Sequence, residues 1–152
     1  MAIPRDNPYG AFNFTVTVDR FGDVGAISAG FQEISGLGME VTEAEYRNGN
    51  DAENHVRKMN GIYKATDVTL KRGLIGVNAF FDWIREVRDG GQNARRTVRI
   101  ALLDEAHAAA VTTWVLTDAK PKSYKGATLN AKGGTDVAME ELVLSCDKMD
   151  VE

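Results

Sequence analysis

Two histidines, one cysteine and a scatter of carboxylates are the side chains in this sequence with the chemistry to bind a metal, move a proton or attack an electrophile. A metal site needs ligands at fixed spacing, and a nucleophile needs a base within hydrogen-bond reach. His55 stands in a polar stretch and His107 in an alanine-rich connection, neither with a flanking acid at ligand spacing. HExxH, CxxC and EF-hand patterns are absent. Cys146 shares its strand phase with Leu142 and Leu144, where a thiol serves as a small core filler. Glu40, Glu43, Glu45 and the pair Glu140-Glu141 have no partner in the sequence and read as solvated strand faces. The glycine-rich pieces GGQNARR (90–96) and AKGGTD (131–136) carry no phosphate-binding pattern and read as a helix stop and a turn. Arg95, Arg96 and Arg99 form too short a basic cluster to read a nucleic-acid groove; their geometry suits the carboxylates of a neighbour. The expectation is a protein with no catalytic, cofactor or metal site, and not an enzyme.

Composition agrees with that. The chain has 152 residues, 43% hydrophobic and 26% charged, enough for one domain with a core of its own. A net charge of −4 is unlike the basic stripe of a nucleic-acid binder. One cysteine excludes an intrachain disulfide. The opening MAIPRDNPYG lacks the basic-then-apolar pattern of a secretory leader, and no apolar run reaches membrane-spanning length. Synthesis in the cytoplasm and no membrane partner are expected.

The elements are organised around Thr66–Gly91. At about 100° per residue, Val77, Phe80, Phe81, Trp83, Ile84 and Val87 fall on one arc of a helix, with Asp82, Arg85, Glu86 and Asp89 opposite. Asn78 suits the N-cap and Gly90-Gly91 the stop. Nothing else has helical length, so this helix must lie on a sheet. Residues 1–11, with Pro4 and Pro8, read as an extended arm. Phe12, Phe14, Val16 and Val18 alternate on a first strand, with a turn at Phe21-Gly22-Asp23. A second strand over 26–35 carries Ile27, Ala29, Phe31 and Ile34, with a bulge near Gln32-Glu33. A third carries Leu37, Met39 and Val41, then loses its apolar face toward Arg47 and outruns the core.

Residues 48–64 show neither period and read as a mobile loop, the projection spanning 47–64. Val68 and Leu70 face inward on a fourth strand; Val98, Ile100 and Leu102 do so on a fifth over 96–104. A sixth over 111–118 meets a bend or edge at Pro121, and a last over 137–149 requires a bulge near Glu140-Glu141. About seven strands and one helix, without a βαβ rhythm, imply a mainly β, antiparallel barrel or tight sandwich flanked by a single helix, one domain over 1–152.

A series of segments then resembles, in order, the inner tube protein of contractile phage tails and contractile injection systems. FQEISGL (31–37) is similar to that family's FxEVSGL, EYRNGN (45–50) to its EYREGG, and TLKRGL (69–74) to its TLKRGL. Phe81-Asp82-Trp83-Ile84 resembles its aromatic-Asp-Trp-Ile helix, Arg95–Asp104 its RRxVxIxLLD strand, and Val137–Leu144 its VAxExLxL strand. Trp114, Pro121 and Leu129-Asn130-Ala131 resemble the run between the last two. Asn48 and Asn50 depart mildly, keeping turn chemistry but losing a charge. The resemblance implies a barrel-like subunit, copies of which form six-membered rings stacked into a hollow tube. It implies partners in a sheath, baseplate and terminator, with cargo DNA or effector in the lumen, inside a virion tail or an extracellular injection particle.

On that footing the arm and the projecting loop are expected to make subunit and ring contacts. The residues expected there are Arg5, Asn7, Tyr9, Tyr46, Arg47, Asn50, Asn54, His55 and Arg57, with Arg95 and Arg96. A secreted type VI ring protein of the Hcp kind shares the fold, but the KRGL and aromatic-Asp-Trp-Ile combination fits the tail branch better. A small-ligand β-barrel is disfavoured by large inward Phe and Trp fillers, and a hydrolase by the missing nucleophile–base pair.

Overall fold

The computed structural model describes residues 6–19, 27–74, 79–91 and 94–152. Arg5, the turn at Phe21-Gly22-Asp23, Val77 and the Asn78 cap lie outside the described residues. The described elements run in the order β1 (Phe14–Val18), β2 (Ile27–Ala29), β3 (Glu33–Ser35), β4 (Met39–Tyr46), β5 (Arg57–Ala65), β6 (Val68–Gly73), α1 (Ala79–Arg88), β7 (Arg96–Leu103), β8 (Ala110–Lys125), β9 (Met139–Ser145) and β10 (Lys148–Val151). The architecture is mainly β, with antiparallel pairing and one helix. One ladder runs β2-β1-β7-β8-β9-β6-β3, with β10 also on β8, and β4 and β5 form a separate hairpin.

The ladder curls because its two outermost strands are neighbours in the chain. Only residues 30–32 separate β2 from β3, so their near ends lie at most about 14 Å apart. No hydrogen-bonded ladder joins them among the described residues. The interior is filled by Val16 and Val18, Val68 and Leu70, Val98 and Ile100, Leu116, Leu142 and Leu144, all buried in one cluster.

β8 makes this curl possible. Its first half pairs with β7, its middle with β10 and its end with β9. Two bulges bend it. Leu116 and Ala119 span three residues opposite two on β7, and Asp118 between them takes a positive φ of 55°. A second slip lies between Pro121 and Ser123 opposite β9. Pro121 was expected to mark a bend or an edge; it sits buried inside a continuous strand at one of these bends, tolerated because the bulge relaxes the ladder there.

Four other expectations are corrected. The strand over 26–35 is two short strands on opposite edges of the ladder, β2 on β1 and β3 on β6, so the phase slip marks a change of partner. The bulge near Glu140-Glu141 is absent, since β6 and β9 pair without interruption from Met139 to Leu144. Glu140 continues the inward phase of Leu142 and Leu144; it is 2% exposed instead of solvated. The stretch 48–64 is not structureless, because its second half is β5.

The buried carboxylate has an equally buried partner. Val68, Leu70 and Arg72 share one phase of β6, and Arg72 Nε donates to Glu140 Oε1 across the ladder. Tyr124 Oη donates to Glu140 Oε2 at 3.1 Å. The Arg72 guanidinium lies 3.9 Å from the centroid of the Phe80 ring, which stacks on Phe31 at 5.5 Å. One polar cluster thus ties β6, β8 and β9 to α1. The helix is further held by Trp83, whose Nε1 donates to Ala94 O at 2.6 Å. Its end is closed by bonds from Gly91 N to Glu86 O and from Gly90 N to Val87 O, with Gly90 at φ 81°.

Removing one member of a buried ion pair strands the other charge, at about 3–5 kcal/mol. Glu140→Ala is therefore expected to lower unfolding stability by about that much in urea titration. Arg72→Met with Glu140→Leu is expected to recover most of the loss, and an equally deep loss in the double variant refutes the assignment.

Candidate assembly surface

The hairpin is the part of the described chain that the core leaves uncovered. Every residue of β4 is exposed, and every residue of β5 except Ala65. Met39, Val41 and Tyr46 on β4 and Met59, Ile62 and Tyr63 on β5 are large apolar side chains facing water, Ile62 at 82% exposure. The apolar phase of Met39 and Val41, expected to face the core, therefore has no core to face.

Register decides which side chains share a face. Met39 opposes Ala65 and Val41 opposes Tyr63; then the pairing slips, and Glu43 opposes Asn60, Ala44 opposes Met59, and Glu45 opposes Lys58. The extra residue falls on β5 at Gly61-Ile62, opposite Thr42, whose Oγ1 donates to Ile62 O at 3.0 Å. A Cβ on Gly61 would meet the Thr42 carbonyl oxygen at 2.9 Å, so a side chain there would force the strands apart. Since directly opposed residues point to one side, one face carries Met39, Val41 and Tyr63 near the base, then Glu43, Glu45, Lys58 and Asn60. The other carries Glu40 and Lys64, then Thr42, Ile62, Ala44, Met59, Tyr46 and Arg57.

Both ends of the hairpin are pinned. At its base Thr66 Oγ1 donates toward Gly36 O (2.6 Å) and Gly38 O (3.0 Å), while Thr66 N donates to Gly38 O. At its tip Arg47 Nη2 reaches Asp51 O at 3.2 Å, Asn54 Oδ1 at 3.3 Å and Glu53 O at 3.4 Å. Asp51 accepts from Asn48 N at 3.0 Å and from Arg57 Nη2 at 3.3 Å. Tyr46 Oη donates to Asn48 Oδ1, and His55 lies 3.4 Å from the Glu53 carboxylate. Tyr46, Arg47, Asn54, His55 and Arg57 are thereby brought together at one exposed tip, with Asn50 in the same turn.

The remaining expected contact residues lie elsewhere. Asn7 is exposed and Tyr9 half-buried. Arg95 pairs with Asp147 at 2.8 Å, and Arg96 with Glu86 at 2.8 Å while lying 5.2 Å from the Trp83 ring centroid. Arg96 thus fixes the helix within its own chain. Arg99 likewise pairs at home, with Asp19 at 3.2 Å. What the sequence reading missed is the inward pair Arg72 and Glu140, whose strand phases carried the signal.

Little here activates a nucleophile. Burial, then Asp147 and Asp67, raise the Cys146 pKa and keep it a thiol at neutral pH. Burial and the bond to Glu140 raise that of Tyr124. No group of three His, Cys, Asp or Glu able to hold a metal occurs among the described residues.

The hairpin is thus exposed along its length, pinned at both ends, with apolar residues on both faces. Comparison with known families matches residues 10–150 to the T4-like virus tail tube protein gp19. The chain belongs to that family. The tail tube protein is a structural subunit of the inner tube of a contractile tail or contractile injection system. It is similar to a chain in the extended-state sheath–tube complex of an extracellular contractile injection system, PVC, at 27% identity and TM-score 0.81, covering 97% of this chain and 93% of that one. It is similar to a chain of the tube-terminating cap of the anti-feeding prophage at 26% identity and TM-score 0.83, covering 100% and 95%. Hcp1 from Flavobacterium johnsoniae shares the fold at 13% identity and TM-score 0.53, covering 91% and 93%. Comparison with curated protein sequences finds no match.

Net hydrogen bonds contribute about 1 kcal/mol each. Arg47→Ala is expected to speed amide hydrogen exchange at 48–54 roughly five- to tenfold while the melting temperature stays unchanged. Unchanged exchange at the tip would show that Arg47 does not order it.

Proposed function

We propose that copies of this tail tube protein assemble side by side into six-membered rings, stacked into a conduit for DNA or effector cargo. The observation that carries this reading is the β4–β5 hairpin, whose exposed apolar side chains on both faces need more surface than one chain supplies. The arm and the projecting segment 47–64 make the contacts between subunits and rings, through Arg5, Asn7, Tyr9, Tyr46, Arg47, Asn50, Asn54, His55 and Arg57, with Arg95 at the rim. Arg96 contributes by setting the helix.

The tube so formed lies within a sheath and meets a baseplate and a terminator. Support comes from similar chains that occur in a sheath–tube complex and in a sheath/tube terminator. The subunit is made in the bacterial cytoplasm, acts as a wall and not as an enzyme, and has no membrane partner; no described helix is long and apolar enough to cross one. A net charge of −4 suits a conduit to which anionic cargo should not adhere.

Size-exclusion chromatography with negative-stain electron microscopy over a concentration series tests this. Rings or filaments with sixfold averages are expected, and a single-copy species at every concentration ends the proposal. Trypsin is expected to cut after Arg47, Arg57, Lys58 and Lys64 in the free subunit, and these sites to resist at least tenfold in the tube. Equal cleavage in both states removes the segment from the contacts.

A further inference from the structure

Two asparagines of the chain are followed by glycine, Asn48-Gly49 and Asn60-Gly61. The backbone nitrogen of a following residue attacks an asparagine side chain when it can swing within bonding reach of Cγ. A following glycine has no Cβ to obstruct that swing. Every other asparagine precedes a residue with a side chain or a proline. Exposure alone ranks Asn60, which is exposed, above Asn48, which is half-buried. The hydrogen bonds rank them the other way.

Asn60 is held in the β4–β5 ladder opposite Glu43. Gly61 lies hard against Thr42, whose carbonyl oxygen would stand 2.9 Å from a Cβ there, and Thr42 Oγ1 donates to Ile62 O at 3.0 Å. Turning the Asn60–Gly61 peptide toward the Asn60 side chain therefore requires the strand pair to open first. At Asn48 the chain turns instead. Asp51 N donates to Asn48 O at 3.1 Å, and Asn48 N donates to Asp51 Oδ2 at 3.0 Å. Gly49 N, between these bonds, donates to no group among the described residues, and a Cβ on Gly49 would meet nothing within 4 Å. The attacking nitrogen gives up no partner and has room to move. Tyr46 Oη donates to Asn48 Oδ1, which draws electron density from Cγ and holds the negative charge that grows on that oxygen as the new bond forms.

We infer that Asn48 is a site of spontaneous deamidation in the folded subunit, and that Asn60 is not. Gly49 N loses its proton and bonds to Asn48 Cγ; the Cγ–Nδ2 bond breaks, and that nitrogen takes up a proton and leaves as ammonia. A succinimide ring remains. Water, the only co-reactant, then adds to one ring carbonyl or the other and opens the ring to aspartate or isoaspartate. Either product sets a new carboxylate beside that of Asp51. Isoaspartate also adds a carbon to the main chain inside the turn, which displaces the acceptors at Asp51, Glu53 and Asn54 that Arg47 gathers. The chemistry belongs to the single subunit and stands whether or not the tube reading does.

A time course on the full-length protein in mildly alkaline buffer tests this. Trypsin separates Asn48 (peptide 48–57) from Asn60 (peptide 59–64), and tandem mass spectrometry locates each amide-to-acid conversion. In the folded subunit, acid is expected to accumulate at Asn48 at least fivefold faster than at Asn60. In urea, where both Asn-Gly pairs lie in an unfolded chain, the two rates are expected to agree within twofold. Tyr46→Phe, with an unchanged circular dichroism spectrum, is expected to slow Asn48 at least threefold and leave Asn60 as it was. Conversion at Asn60 as fast as at Asn48 in the folded protein overturns the inference, as does an Asn48 that converts only in urea. The same preference for Asn48 in urea shows that the fold does not set it, and an unchanged rate in Tyr46→Phe overturns the role given to that hydroxyl.

Discussion

A two-stranded ribbon in water is marginal at best, because half its backbone groups and both its faces meet solvent. The β4–β5 hairpin nevertheless extends over eight paired or bulged residues with Met39, Val41, Met59, Ile62 and Tyr63 uncovered. Everything else in the chain is arranged so that this element can be held straight until something covers it. Thr66 clamps the base to the carbonyls of Gly36 and Gly38. Arg47 gathers the tip onto three acceptors. Neither clamp supplies apolar burial, so they set the hairpin's direction and leave its apolar middle exposed.

The barrel beneath is built for stiffness at that attachment. β8 binds three other strands along its length, so its two bulges bend the sheet without opening it. Arg72 and Glu140 lock β6 to β9 immediately downstream of β5, and Arg72 lies over the Phe80 ring of the helix, which in turn stacks on Phe31 ahead of β3. A buried ion pair is weak evidence of stability, since apolar residues of equal volume often serve as well. Its value here is register. The inward charge on β6 meets the inward charge of Glu140 on β9, and a one-residue slip would turn one of them out to solvent and leave the other buried without it.

The alternating strands were legible in the sequence wherever one face meets the core. Val16 and Val18, Val98 and Ile100, and Leu142 and Leu144 each show it, as do Phe80 and Trp83 on the helix. β5 was not legible, because a strand with no core face has no burial to impose alternation, and its bulge at Gly61 breaks what phase remains. The pair Arg72–Glu140 was hidden by the habit of reading charge as exposure, although each sits in phase with two inward neighbours. β2 and β3 were fused for a third reason. A strand that changes partners looks, in one dimension, like a strand with a bulge. The exposed hairpin was legible only as an absence of pattern.

A structural subunit of a tube meets its copies through unlike surfaces, which has consequences for the size of what it builds. A self-complementary patch saturates at two copies, whereas a contact between unlike surfaces leaves one of each free at every step. Such a series either closes into a ring or winds into a filament, and small changes in the hairpin's angle choose between them. The angle is set by the Thr66 clamp and by the twist that the Gly61 bulge adds to the ribbon. A structural subunit whose function is a bore of fixed width must hold that angle closely, which accounts for hydrogen bonding at both ends of an element whose middle is bare. The apolar middle is left bare, and the polar ends give geometry.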